Sequence, residues 1–345
     1  MGEAEVIRME DLARARETHD RPGAARCRAT TKSGRACRNQ AVAEDGYCRV
    51  HAPVPAQGEP GPPVRELEKE GPLDAALEFL RRRLGGDYPI DDFGYDEQLS
   101  REVLLPLVRP LYENYFRVRT IGINRIPDEG PAMVVANHSG TIALDAVMLQ
   151  YAVAFEHRRK RALRNVGADL VFRLPFVGPL ARKTGNVLAC EEDSFELFRR
   201  GELVGVFPEG YKGVGKGWRD RYKLQRFGRG GFIEVALKAQ VPIIPVAIVG
   251  AEEAFPMIGN LKPLARALGV PYFPVTPTFP LLGPLGLIPL PSRWVIEFGE
   301  PIPMDEHPPE AVDDKMLVFD LADAIRDRIQ QMLYKNLRFR GGTFI

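Results

Sequence analysis

His138 and Asp145 stand in one short stretch, introduced by Asn137, directly after the apolar run Met133-Val134-Val135-Ala136. Their types could do acid–base chemistry. Histidine titrates close to neutrality, so its imidazole can take a proton from a hydroxyl; a carboxylate on the far nitrogen fixes the tautomer and stabilises the cation that forms. Such a pair activates an alcohol. The separation suits one side of two helical turns, but Ser139, Gly140 and Thr141 predict a loop leading into a helix, from which the carboxylate swings back to the ring. A histidine capping a strand end and an acid favoured by a helix dipole would leave the same letters.

Three further signals follow. The run Leu203-Val204-Gly205-Val206-Phe207-Pro208-Glu209-Gly210-Tyr211-Lys212 reads as an apolar strand delivering a carboxylate and a cation to a pocket rim. Val241-Pro242-Ile243-Ile244-Pro245-Val246 opens a buried strand through Val249, preceded by a helix-like stretch over 231–239. Arg182-Lys183-Thr184-Gly185 lies between the first two blocks. Strands alternating with helical stretches from Val118 to Gly299 predict an α/β domain.

In these ordered blocks the chain resembles the glycerolipid acyltransferase family, the lysophospholipid or 1-acylglycerol-3-phosphate acyltransferases, over about residues 118–300. Asn137, His138 and Asp145 match the family's Asn-His…Asp motif, Phe207 to Gly210 its Phe-Pro-Glu-Gly motif, and Val241 to Val246 its Val-Pro-Ile-Ile-Pro-Val motif. The resemblance implies an α/β mixed sheet flanked by helices. It also implies acyl transfer from acyl-CoA or acyl-ACP to a hydroxyl of a lysophospholipid or related glycerolipid. His138 would be the general base, held by Asp145, with Glu209 as the third catalytic residue. Asn137, Lys183, Gly210, Tyr211, Lys212 and Lys216 are the expected substrate-binding residues. Direct attack on the thioester needs no acyl-enzyme, and Ser139 lacks the Gly-x-Ser-x-Gly elbow of a serine nucleophile. Cys190, at the end of an apolar strand, reads as a small hydrophobe.

Two departures stand out. The family has four residues between His and Asp; here Ser139 to Leu144 makes six. The family's Glu-Gly-Thr-Arg becomes Glu209-Gly210-Tyr211-Lys212, exchanging a bidentate phosphate fork for a point charge. Lys212, Lys216 and Arg219 keep the segment basic enough for an anionic headgroup or the phosphates of coenzyme A. The same departures suit a lipid-binding or scaffold protein that kept the fold without the activity.

With 47 basic and 46 acidic residues the chain is not a nucleic-acid binder by overall charge, and 45% hydrophobic content in 345 residues allows a large core. The first 25 residues are charged and lack an apolar segment, so no signal peptide is expected. The expected location is cytoplasmic, peripheral on the inner face of the membrane. Residues 267–292 form a 26-residue uncharged segment with seven prolines, which forbid a spanning helix. A wall of the acyl-chain tunnel, an element at the membrane interface, or core packing are the readings for it. An amphipathic helix over 95–118 is expected, with Leu99, Val103, Leu107, Leu111 and Tyr115 as its stripe and Pro106 and Pro110 interrupting it. A second helix over 311–337 carries Leu317, Leu321, Ile325 and Ile329.

Cys27, Cys37, Cys48 and His51 form Cys-x9-Cys-x10-Cys-x2-His, a donor set for a structural tetrahedral zinc in a small Cys3His module. Arginines and lysines crowd the module; nucleic acid, anionic lipid or a protein could be its partner. The expected organisation is a disordered tail (1–23), the zinc module (24–51), a linker (52–72), a helical segment (73–117), the acyltransferase domain (118–300) and a C-terminal helical segment (301–345).

Overall fold

The computed structural model describes residues 79, 81–86, 88–228 and 230–344. Cys27, Cys37, Cys48, His51 and the expected linker lie outside these residues. Two compact units divide the chain, Met1–Asp87 and Tyr88–Ile345, and everything below concerns the second.

Short apolar, β-branched runs build its sheet. The strands are β1 (Arg119–Ile121), β2 (Ala132–Ala136), β3 (Leu163–Gly167), β4 (Val187–Leu188), β5 (Leu203–Val206), β6 (Ile243–Val249) and, after the hairpin β7 (Gly259–Asn260) and β8 (Pro274–Val275), β9 (Val295–Phe298). Their order is β1-β9-β6-β2-β5-β3-β4. β2, β3, β4, β5 and β6 run parallel, and β9 is antiparallel to β6. Every residue of β2 and β6 is buried, because parallel strands covered on both faces need apolar side chains throughout rather than alternation.

Alternate side chains enter two cores. Met133 and Val135 of β2 join the core built with helices α3 (Glu191–Arg199), α4 (Gly231–Ala239) and α5 (Lys315–Phe339). Ala132, Val134 and Ala136 join the opposite core with the helical run α1 (residues 97–115) and helix α2 (Leu144–Glu156). The α/β sandwich predicted by the sequence pattern is the observed one.

Pro245 lies within the central strand β6 although proline cannot donate to a ladder. Its nitrogen faces β9, and there the partner chain has begun to depart: Gly299 N–H donates to Pro245 O (2.7 Å), and pairing resumes only at Ile302. The strand forgoes only the return bond of that pair.

α1 packs on the sheet with a face that overlaps the expected one only in part: Leu111 and Tyr115 of the expected stripe pack half-buried against the core. Leu105, Tyr112 and Phe116 are buried, while Leu107 is 72% exposed. Pro106 and Pro110 shift the phase. Wide i→i+5 turns flank them, with Leu105 N–H on Ser100 O and Phe116 N–H on Leu111 O. An interior proline costs a helix about 3 kcal/mol. Burying each of three large apolar side chains contributes roughly 1.5–3 kcal/mol, enough to offset it. On α5, Ile325 and Ile329 are buried as expected, joined by Val318, Ala322, Met332 and Leu333.

Candidate active site

β2 is the point where the topology divides. The chain leaves it through α2 to β3 on one side, and β5 later returns across it to β6 on the other. In such sheets the loops at the carboxyl ends of the strands enclose a crevice at this switch point. The loops after β2, β5 and β6 carry His138, Glu209 and Glu252.

His138 Nδ1 lies 2.8 Å from Asp145 Oδ2, and the same oxygen accepts the Ser139 N–H at 2.8 Å. Asp145 is fully buried in the first turn of α2, and the predicted loop into helix is present. Six intervening residues close this contact because the backbone coils back on itself: Gly140 has φ +93° and Thr141 φ +60°. A Cβ at Gly140 would meet Ala251 O at 2.7 Å, so glycine is also required by close packing on the loop after β6. Thr141 is tied on both sides, its N–H to Val214 O (3.2 Å) and its hydroxyl to Phe255 O (2.9 Å). The Tyr272 hydroxyl donates to Thr141 O (2.6 Å); burial, then the negative charge of Asp145, pushes its pKa to about 12. A carboxylate only accepts, so Nδ1 carries the hydrogen and Nε2 presents its lone pair. The ring rests against Phe207, with centroids 4.5 Å apart.

Beneath this pair lies an ionic chain. Glu209, its side chain fully buried, accepts the His138 N–H (3.0 Å) and the Gln225 N–H (2.6 Å), and Lys216 Nζ approaches its Oε2 at 3.3 Å. Lys216 also meets Glu252 Oε1 at 3.2 Å, and Glu252 Oε2 accepts the Tyr222 N–H (2.9 Å). Burial, only partly offset by Lys216, pushes the Glu252 carboxyl up to about 7. Gly213 sits where a Cβ would fall 2.6 Å from His138 O, so the turn after Glu209 packs directly on the histidine backbone.

Several expected substrate ligands have other work. Asn137 is fully buried and stitches β2 to β6, its Nδ2 donating to Ile248 O (3.0 Å) and its Oδ1 accepting Ile248 N–H (2.7 Å). Lys216 has a side chain 3% exposed between two carboxylates, so its charge is neutralised internally rather than offered to a headgroup. Lys183, at the end of the short helix Val177–Lys183, pairs with the buried Asp96 (3.7 Å). Gly210 forms the turn, donating to Phe207 O (2.9 Å), and Tyr211 and Lys212 stand exposed on the rim. Burial pushes the Cys190 thiol up, away from nucleophile character. His157, among charged sequence neighbours, is buried against Ile126 O (3.2 Å). Among the described residues no three His, Cys, Asp or Glu side chains are grouped to hold a metal.

Glu252, Tyr222 and Tyr272 escaped the sequence reading. The adjacent acids Glu252 and Glu253, set in an apolar run just past a buried strand, were the available signal.

Residues 117–249, which contain His138, Asp145 and Glu209, match the family model described as Acyltransferase. An uncharacterized protein of Mycobacterium tuberculosis is 50% identical over 270 residues, 78% of this chain and 75% of its own. The chain belongs to the acyltransferase family. An uncharacterized protein of Mycobacterium leprae is 49% identical over 282 residues, 82% of this chain and 76% of its own. The human protein named DGAT1/2-independent enzyme synthesizing storage lipids is 28% identical over 221 residues, 64% of this chain and 62% of its own. Among solved structures, the 1-acyl-sn-glycerophosphate acyltransferase PlsC of Thermotoga maritima aligns with a TM-score of 0.45 and 16% identity, covering 76% of this chain and 87% of that one.

Proposed function

We propose that this acyltransferase moves a fatty acyl group from a thioester, acyl-CoA or acyl-ACP, to a hydroxyl of a lysophospholipid or related glycerolipid, with His138 as general base. The observation that carries the reading is the His138–Asp145 contact at 2.8 Å beside an open Nε2. Nε2 takes the proton of the acceptor hydroxyl as its oxygen attacks the thioester carbonyl. The tetrahedral oxyanion then collapses, the carbon–sulfur bond breaks, and the leaving thiolate takes the proton back from the imidazolium. Asp145 holds the tautomer and stabilises the cation. Glu209 acts through the His138 backbone and is a positioning residue. Lys212 and Arg219, exposed and without ion-pair partners among the described residues, suit an anionic headgroup or the phosphates of coenzyme A. The acceptor class draws support from the relatives named for storage-lipid synthesis.

Acyl transfer to a panel of lysophospholipids and neutral glycerolipids tests this. Wild type is expected to turn over and His138→Ala to lose roughly 10²–10⁴-fold. Absence of turnover on every acceptor, or turnover indifferent to the substitution, refutes it in favour of a lipid-binding protein without activity. The enzyme works from the cytoplasm on the inner face of the membrane in this proposal. Cys27, Cys37, Cys48 and His51 hold a structural zinc by their donor types and the tight Cys48/His51 spacing. Zinc content of the full chain purified under reducing conditions checks that part separately.

A further inference from the structure

The connections after β3, β5 and β6 all emerge at the end of the sheet that carries His138, because these strands run parallel to β2. Two of them present large apolar side chains outward. After β3, Phe176 is 89% exposed with φ +64°, a backbone conformation that a bulky aromatic rarely adopts. After β6, Leu281 is 84% and Leu285 68% exposed, so core packing is not the role of the proline-rich segment. In the short helix Lys262–Leu268 only Ala265 turns inward, and Leu264 and Leu268 face solvent.

Charge on the connection after β6 is one-sided. Between Glu253 and Glu297 the chain has no Asp or Glu, while Lys262 and Arg266 are exposed and have no ion-pair partner among the described residues. The cleft at the opposite end of the sheet, lined by Arg125, Glu297, Glu300, Arg328 and Lys335, mixes both signs. The exposed acid after β3, Asp169, is paired with Arg173 (2.7 Å), so an apolar surface carrying the unpaired cations Lys262 and Arg266 complements a negatively charged lipid leaflet, where hydrocarbon burial and headgroup attraction act together. No described helix is long and apolar enough to cross a membrane.

We propose that the connections after β3 and β6 dock on an anionic lipid bilayer, with Phe176, Leu281 and Leu285 entering the acyl boundary and Lys262 and Arg266 meeting the headgroups. This rests on the acyl-transfer reading only for its purpose, which is to bring lipid acceptors to the His138 end of the sheet.

Sedimentation of the full chain with vesicles of phosphatidylcholine, with and without phosphatidylglycerol, tests the surface. Binding is expected to be stronger with phosphatidylglycerol and to weaken with salt. Leu281→Asp with Leu285→Asp, or Phe176→Asp, should weaken it about tenfold or more. Lys262→Glu with Arg266→Glu should weaken it roughly tenfold on the anionic vesicles. Unchanged circular dichroism and unchanged turnover of a short-chain soluble acceptor would show that the variants remain folded. Failure to bind either vesicle, or equal binding by the variants, overturns the proposal. So does a dimer that the leucine variants dissociate while vesicle binding persists. Binding is read without turnover, so a chain that docks but transfers nothing would refute the activity and leave this surface standing.

Discussion

Lys216 places one ammonium between Glu209 and Glu252, and two carboxylates cannot both be fully neutralised by it. Burial resolves this in favour of protonation at Glu252, whose pKa rises from 4.5 to about 7. A carboxyl raised in the folded state stabilises the fold fully below its unfolded value, and that contribution is lost as pH rises through the folded value. Wild type is therefore expected to lose stability between about pH 4.5 and pH 7 relative to Glu252→Gln. The difference should reach on the order of 2–3 kcal/mol at the upper end, measured by denaturant unfolding across pH. A flat difference would place the proton elsewhere. Asp145→Asn should keep most of the packing yet permit the wrong tautomer on His138, lowering kcat by roughly 10²–10⁴-fold with a smaller effect on KM.

Elements hold the site by touching, and Gly213 is the tightest of these contacts. Gly213→Ala would force the turn after β5 away from His138 O, 2.6 Å from where the new Cβ falls. It should lower turnover more than tenfold and destabilise by about 1–3 kcal/mol, read by kinetics and thermal unfolding together. Between β5 and β4, Arg164 of β3 is 1% exposed and bonded to Asp91, Glu202 (both 2.7 Å) and Gly185 O (2.7 Å). Arg164→Met leaves those acids half-buried and unpaired. A loss of about 3–5 kcal/mol is expected, with the catalytic loop's kcat little changed in the folded fraction.

Over the whole unit, the parallel strands act as a frame that delivers loops from distant parts of the chain to one end. His138, Glu209 and Glu252 come from three strands that are neighbours only in space. The frame was legible as three apolar runs in order, and the catalytic pair as residue types. The ion pairs of Lys216 were not legible because the acid that encloses it lies 36 residues further on, beyond any local spacing. The bonds of Asn137 across the sheet were not legible because its partner, Ile248, sits on an adjacent strand 111 residues away. The stripe on α1 departs from expectation at Leu107 because wide turns flank the two prolines, which a regular helical period does not anticipate.

By itself the amino-acid order determined that apolar strands alternate with helices and that a histidine and an acid follow one strand. It also determined that the stretch between Glu253 and Glu297 carries cations without acids. These are properties of composition and short-range period, which local sterics and hydrophobicity already set. Whether Asp145 reaches His138 across six residues was decided only by the folded chain. The left-handed backbone at Gly140 and Thr141 closes that distance, and those residues adopt it because Val214, Ala251 and Phe255, from other loops, hold them there.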